Sequence, residues 1–129
     1  MKMIEFVLLA VGAVVGAFLR YSLVDSPMTI AGLPVNVLIV NVIGSFLMGL
    51  FSVLAVVLNL DTRYTLLFAT GFCGSFTTMS SFALETSNLI DSNRFSLVAL
   101  NIIGNVGLSL GAVIGGRAVG DFAMERIFQ

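Results

Sequence analysis

Four long apolar stretches follow one another along the chain, and short polar turns separate them. The first covers about Ile4 to Val24, the second Pro34 to Leu58, the third Arg63 to Ile90 and the fourth Phe95 to Val119. Segments one, two and four are close to the ~20 residues that a helix needs to cross a hydrocarbon layer. The first connection holds Asp25, Ser26, Pro27 and Gly32. The second holds Asn59, Leu60, Asp61 and Thr62, and the third holds Asp91, Ser92 and Asn93. These residue types end helices and form turns. Pro34 is expected in the first turn of helix two, where its missing N–H costs nothing. The N-terminal run after Lys2 is similar to a signal peptide, but it lacks a clear A-x-A cleavage site and three more apolar segments follow. It is therefore expected to be the first retained helix.

Segment three breaks the pattern. About 28 helical residues would extend roughly 42 Å, longer than a hydrocarbon layer of about 30 Å. Its centre, Gly71 to Phe82, reads GFCGSFTTMSSF, with two glycines and five hydroxyl side chains. Both residue types weaken a continuous helix. The expectation is a helix interrupted near mid-membrane, the alternative being a tilted, kinked one. Interrupted backbone at that depth is tolerated only when buried in protein or lining a polar cavity. Its freed carbonyl and N–H groups are suited to binding ions.

Composition fits this architecture. Hydrophobic residues make up 58% of the 129 residues and charged residues only 10%, against about 25% charged in soluble domains. The expected fold class is therefore an all-α membrane protein with four transmembrane helices in a single domain, residues 1–129. The net charge of −1 gives no basic field for nucleic acid. Histidine is absent and Cys73 is the only cysteine, which excludes an intrachain disulfide and leaves too few soft ligands for zinc. Cys73 itself is read as a small apolar residue. The spans hold no convincing arrangement of paired carboxylates or activated nucleophile, so no enzymatic activity is expected.

The polar minority within the spans then carries the information. Asn41 lies about one third of the way along segment two, followed by Gly44, Ser45 and Gly49. It either holds helices together or offers hydrogen bonds to a solute. In segment four Asn101, Asn105 and Ser109 stand at i, i+4 and i+8 and share a face. That face is either a hydrogen-bonding track for a small polar solute or a polar helix–helix seam. Gly104, Gly107, Gly111, Gly115 and Gly116 on the same segment point to tight packing. Arg20 ends segment one and Glu85 lies late in segment three, where long side chains reach the interface.

Four spans leave little room for a polar pathway inside one chain. A pathway at the seam of a twofold dimer is therefore expected. Lys2, Arg63, Arg117 and Arg126 fall on one side of such a bundle, and Arg20 and Arg94 on the other. This bias favours the four-residue side as cytoplasmic, yet it is small enough to permit insertion in either direction.

Taken together, these residues resemble the fluoride channel family, the CrcB or Fluc proteins. The resemblance spans nearly the whole chain. It rests on GAFLRY in segment one, N-x-x-G-S-F-x-x-G in segment two, GFCGSFTTMSSFALE in segment three and N-x-x-x-N-x-x-x-S in segment four. It implies an antiparallel, dual-topology dimer in the inner (plasma) membrane that passively exports fluoride and excludes chloride. By position, it assigns a fluoride hydrogen bond to Asn41, a ring edge to Phe82, and the polar track to Asn101, Asn105 and Ser109. Arg20 falls at the aqueous vestibule. The resemblance puts the helix break at Gly74 to Thr78, and it assigns the carbonyls of Gly74 and Thr77 from both subunits to a central structural sodium ion, Na+. Glu85 matches the acidic residue that follows this motif.

Met79 departs from the family pattern T-T-F-S-T-F, since it stands where the first phenylalanine is usual. A ring edge offers partial positive charge to an anion, and a thioether does not. This implies slower fluoride passage, tolerance of the exchange, or membership of a pair of non-identical subunits. Two rivals remain: a non-conducting membrane subunit and a small multidrug exporter. The exporter would need an acidic residue mid-span in helix one, where only Glu5 near the end is present.

Overall fold

The computed structural model describes all residues, Met1–Gln129. Helix α1 covers Met3–Val24 and α2 covers Asn36–Val57. Residues 62–76 form α3, wound largely with i→i+5 hydrogen bonds over Thr65–Cys73. Helix α4 is Met79–Asp91, and α5 is Phe95–Ile127 with one wide turn at Gly104–Leu108. Helices α1, α2 and α5 are each long and apolar enough to cross a membrane. The chain is thus a multi-pass membrane protein built of four helical rods, the third of which is α3 and α4 in succession.

Two close pairings organise these rods. Helix α1 packs along α3, and α2 packs along the C-terminal half of α5. Glycines set both contacts. A Cβ on Gly12 would strike the Leu67 carbonyl, and one on Gly16 the Phe72 carbonyl. Between α2 and α5, Gly49 faces the backbone of Val113 and Gly116 faces that of Phe46. Small residues allow backbones to approach this closely, and dispersion then holds the helices where lipid supplies no hydrophobic drive. Four rings stack between α2 and α3, with centroid separations of 4.9 Å for Phe51–Phe68, 5.3 Å for Phe68–Phe72 and 5.6 Å for Phe72–Phe76.

Several expectations are corrected. Pro34 does not open helix two. It pairs with Thr29 in a two-stranded hairpin, Thr29–Ile30 with Leu33–Pro34, and α2 starts at Asn36. The cause is Asn36, which is buried and whose carboxamide gathers the preceding loop. It accepts from Met28 N–H at 2.5 Å and donates to the carbonyls of Leu23 and Ser26. The fourth rod does not stop near Val119 but continues to Ile127; Gly120 carries its contact with α2 onward, against Val53 and Leu50, and Met124 one turn later is buried. Of the five glycines expected to pack tightly, only Gly116 does so within the chain. Gly104 has the side chain of Leu38 at ordinary contact distance, and nothing lies near Gly107, Gly111 or Gly115.

Candidate functional site

The third rod breaks over two residues rather than five. Gly74 stays helical at φ −63°, ψ −30°, whereas Thr77 and Thr78 are extended, at ψ 158° and 117°. The expected start of the break at Gly74 is thus corrected. The threonines leave the helix because other groups satisfy their backbone. Thr78 N–H donates to Asn41 Oδ1 at 2.8 Å, in place of the Gly74 carbonyl that a continuous helix would use. The Thr78 hydroxyl then accepts from Ser81 N–H at 3.2 Å and caps the first turn of α4.

From this break a directed chain of hydrogen bonds leads away through three rods. Asn41 Nδ2 donates to the Thr78 carbonyl at 3.2 Å and to Asn105 Oδ1 at 3.0 Å. Asn105 Nδ2 donates to Asn101 Oδ1 and to the Asn101 carbonyl, each at 3.0 Å. Asn101 Nδ2 donates to Thr86 Oγ1 at 3.1 Å, and the Thr86 hydroxyl donates to the Phe82 carbonyl at 2.8 Å. Asn101, Asn105 and Thr86 are all buried. Buried amides must be paired or they destabilise the fold, so this chain fixes the position of each carboxamide.

A cavity of about 320 Å³ opens beside the break. Asn41 and Ser45 line it from α2, Thr77 and Thr78 from the break, Met79 and Phe82 from α4, and Asn105, Val106 and Ser109 from α5. Its wall includes two serine hydroxyls, Ser45 and Ser109, that have no partner in the chain; the Ser109 oxygen is also shut off from solvent. The structure therefore brings together five of the expected pore residues, namely Asn41, Met79, Phe82, Asn105 and Ser109, with Thr77, which was expected at the ion site, beside them. Asn101 stands behind Asn105, fully buried and off the cavity wall. Arg20 is half-buried on α1, away from the cavity. Met79 is 71% exposed, so the cavity mouth is open on that side of a single chain.

Thr86 is a member of the site that sequence reasoning did not single out, and Ser45 was noted only as a small residue beside Asn41. Ser45 is one turn after Asn41, and Thr86 one turn after Phe82, so helical spacing carries a signal for both. At the break itself, no backbone N–H donates to the Thr77 carbonyl, and the Gly74 carbonyl has lost its bond from Thr78. Neutral oxygens of this kind suit a hard cation. No group of three or more histidine, cysteine or acidic residues gathers elsewhere to hold a metal.

Residues 7–117 match the family described as CrcB-like protein, Camphor Resistance (CrcB). The chain belongs to this family. It is 60% identical over 119 residues to a protein of Nitrosopumilus maritimus named fluoride-specific ion channel FluC, covering 92% of this chain and 94% of that relative. A protein of the same name from Methanococcus maripaludis is 38% identical over 118 residues, covering 92% and 97%. Another, from a Sulfurihydrogenibium species, is 40% identical over 108 residues, covering 81% and 87%.

Proposed function

We propose that this chain forms a passive, fluoride-selective channel that lets the anion leave the cytoplasm across the inner (plasma) membrane. Family membership and the naming of the relatives support this, and the cavity supplies the chemistry. The observation that carries it is the Ser109 hydroxyl, buried and unpartnered on the wall of a cavity it shares with Asn41 and Asn105. Fluoride is small and strongly hydrated, so a pore must replace its water with hydrogen-bond donors without trapping it. Ser109 and Ser45 have donors to spare. Asn41 gains one by releasing the Thr78 carbonyl, the longest of its three bonds at 3.2 Å. The Phe82 ring turns its electropositive edge to the anion. Asn101 acts from behind, holding Asn105 in place. Arg20 draws anions toward the vestibule.

The cavity is open on one side, and a second, antiparallel copy closes it. In that homodimer the interrupted third rod crosses the bilayer as the fourth span of each subunit, and two polar pathways run side by side. The Gly74 and Thr77 carbonyls of both copies then surround one Na+, which holds the crossing point together. Two oxygens from one chain are too few for a hard cation, and a second copy doubles them. The main competing arrangement is a pair with a homologous, non-identical subunit, which Met79 favours.

The test is growth. A bacterium stripped of its own fluoride exporter, expressing this chain alone, grows in millimolar-range fluoride if the proposal holds. Failure to grow, with the chain present in the membrane, contradicts export by the homodimer.

A further inference from the structure

A second cavity, of about 430 Å³, lies at the far end of the α2–α5 contact, lined by Ser52, Val53, Val56, Val57, Arg117 and Asp121. Ser52 is in register with the first cavity. Asn41, Ser45, Met48 and Ser52 stand at i, i+4, i+7 and i+11 on α2, which places them along one face. Asn41 and Ser45 line the first cavity and Ser52 the second, about 10 Å further along the helix axis. The direct route between the rods is closed where Gly49 meets the Val113 backbone, and on the outer face of α2 Met48 stands between the two serines.

The charges of the second cavity are free. Arg117 and Asp121 are one turn apart on α5, yet they form no ion pair; the only ion pair in the chain joins Arg63 and Asp61, at 3.9 Å. Arg117 thus presents a guanidinium without an ion-pair partner to a cavity whose remaining wall is three valines, a serine and Asp121. The Ser52 hydroxyl meanwhile donates to the Gly49 carbonyl at 2.7 Å, a local bond that rotation about one torsion exchanges for a solute. Asp121 opposes anion entry from the same wall.

We infer that this cavity is the second mouth of the ion pathway, where Arg117 raises the local concentration of a small anion and Ser52 hands it to the face that leads to Ser45. This rests on the channel function proposed above. Arg117 is here a gathering residue, and Asp121 sets how strongly it gathers. A single unit charge at a water-filled mouth changes local ion concentration about two- to threefold at low salt.

The experiment measures initial fluoride efflux from liposomes at low and high fluoride and at low and high ionic strength. Arg117→Gln lowers the rate about two- to threefold at low fluoride and low salt, and the deficit shrinks when either is raised. Arg117→Lys restores the rate. Asp121→Asn raises it under the same conditions, which no misfolded variant would do. Arg126→Gln is the control, since Arg126 lies over the Phe122 ring and off this cavity; its rate is unchanged. A conducting wild type whose Arg117→Gln and Asp121→Asn variants match it overturns the second mouth alone. An equal loss in Arg126→Gln also overturns it, by showing a general surface potential. A wild type that passes no fluoride overturns the channel function, and the second mouth with it.

Discussion

The side-chain amide of Asn41 lies edge to edge with the backbone amide of Thr78, accepting from its N–H at 2.8 Å and donating to its carbonyl at 3.2 Å. One carboxamide on α2 therefore satisfies both backbone groups of Thr78, which the third rod leaves without helical partners at its break. Asn41→Ala leaves the Thr78 N–H without a partner inside the protein. An unsatisfied buried group costs about 1–3 kcal/mol, and unfolding of the purified chain in detergent should show a loss of that order. Asn41→Asp keeps the acceptor but loses both donations, and it places an oxygen against Asn105 Oδ1. Fluoride efflux from liposomes should stop in that variant even where the fold survives.

The two kinds of glycine on α5 should respond in opposite ways. A Cβ at Gly116 meets the Phe46 carbonyl, which backbone cannot easily yield. Gly116→Ala should destabilise the folded chain by about 1–3 kcal/mol, the usual cost of overpacking. Gly111 has nothing within 4 Å. Gly111→Ala should raise the stability of the monomeric fold slightly in the same detergent assay, by up to about 1 kcal/mol, because alanine is the better helix former, and a loss equal to that of Gly116→Ala would contradict the packing described.

Met79 offers a gain-of-function test. It is exposed at the cavity mouth, where a larger ring meets no crowding within the chain. Met79→Phe supplies a ring edge that a thioether lacks. Fluoride efflux from liposomes should rise relative to wild type. An unchanged or lower rate would show that the thioether already serves the passage.

Sodium removal addresses the break from another direction. With Na+ exchanged for a large organic cation throughout purification, the dimer should dissociate at lower temperature than in sodium. Cross-linking followed by gel electrophoresis reads the dimer directly. Equal dimer stability in both buffers would sink the role assigned to the Gly74 and Thr77 carbonyls.

Much of this architecture was legible in the sequence because membranes impose simple rules. Apolar length gave the rods, and turn residues gave their ends except the start of the second and the end of the fourth. The hydroxyl-rich run at Gly71–Phe82 revealed the interruption, and the spacing of Asn105 and Ser109 placed them on one wall. The extent of the break was not legible, because it is set from another helix. Asn41 captures Thr78 across 37 positions of sequence, and no local propensity reports that. Asn36 displaced the start of α2 past Pro34 by the same kind of distant capture, binding groups up to 13 residues back. The wide turn at Gly104–Leu108 left no pattern in the residues. Glycine content alone also misled, since the same residue type marks a tight contact at Gly116 and open space at Gly107, Gly111 and Gly115.

The central claim is best tested with the purified chain alone in liposomes loaded with potassium fluoride. A fluoride electrode follows efflux after valinomycin is added, and chloride-loaded vesicles serve as the comparison. Rapid fluoride efflux without chloride efflux is the predicted result. No fluoride efflux from verified, folded dimers, or equal passage of both anions, would contradict it.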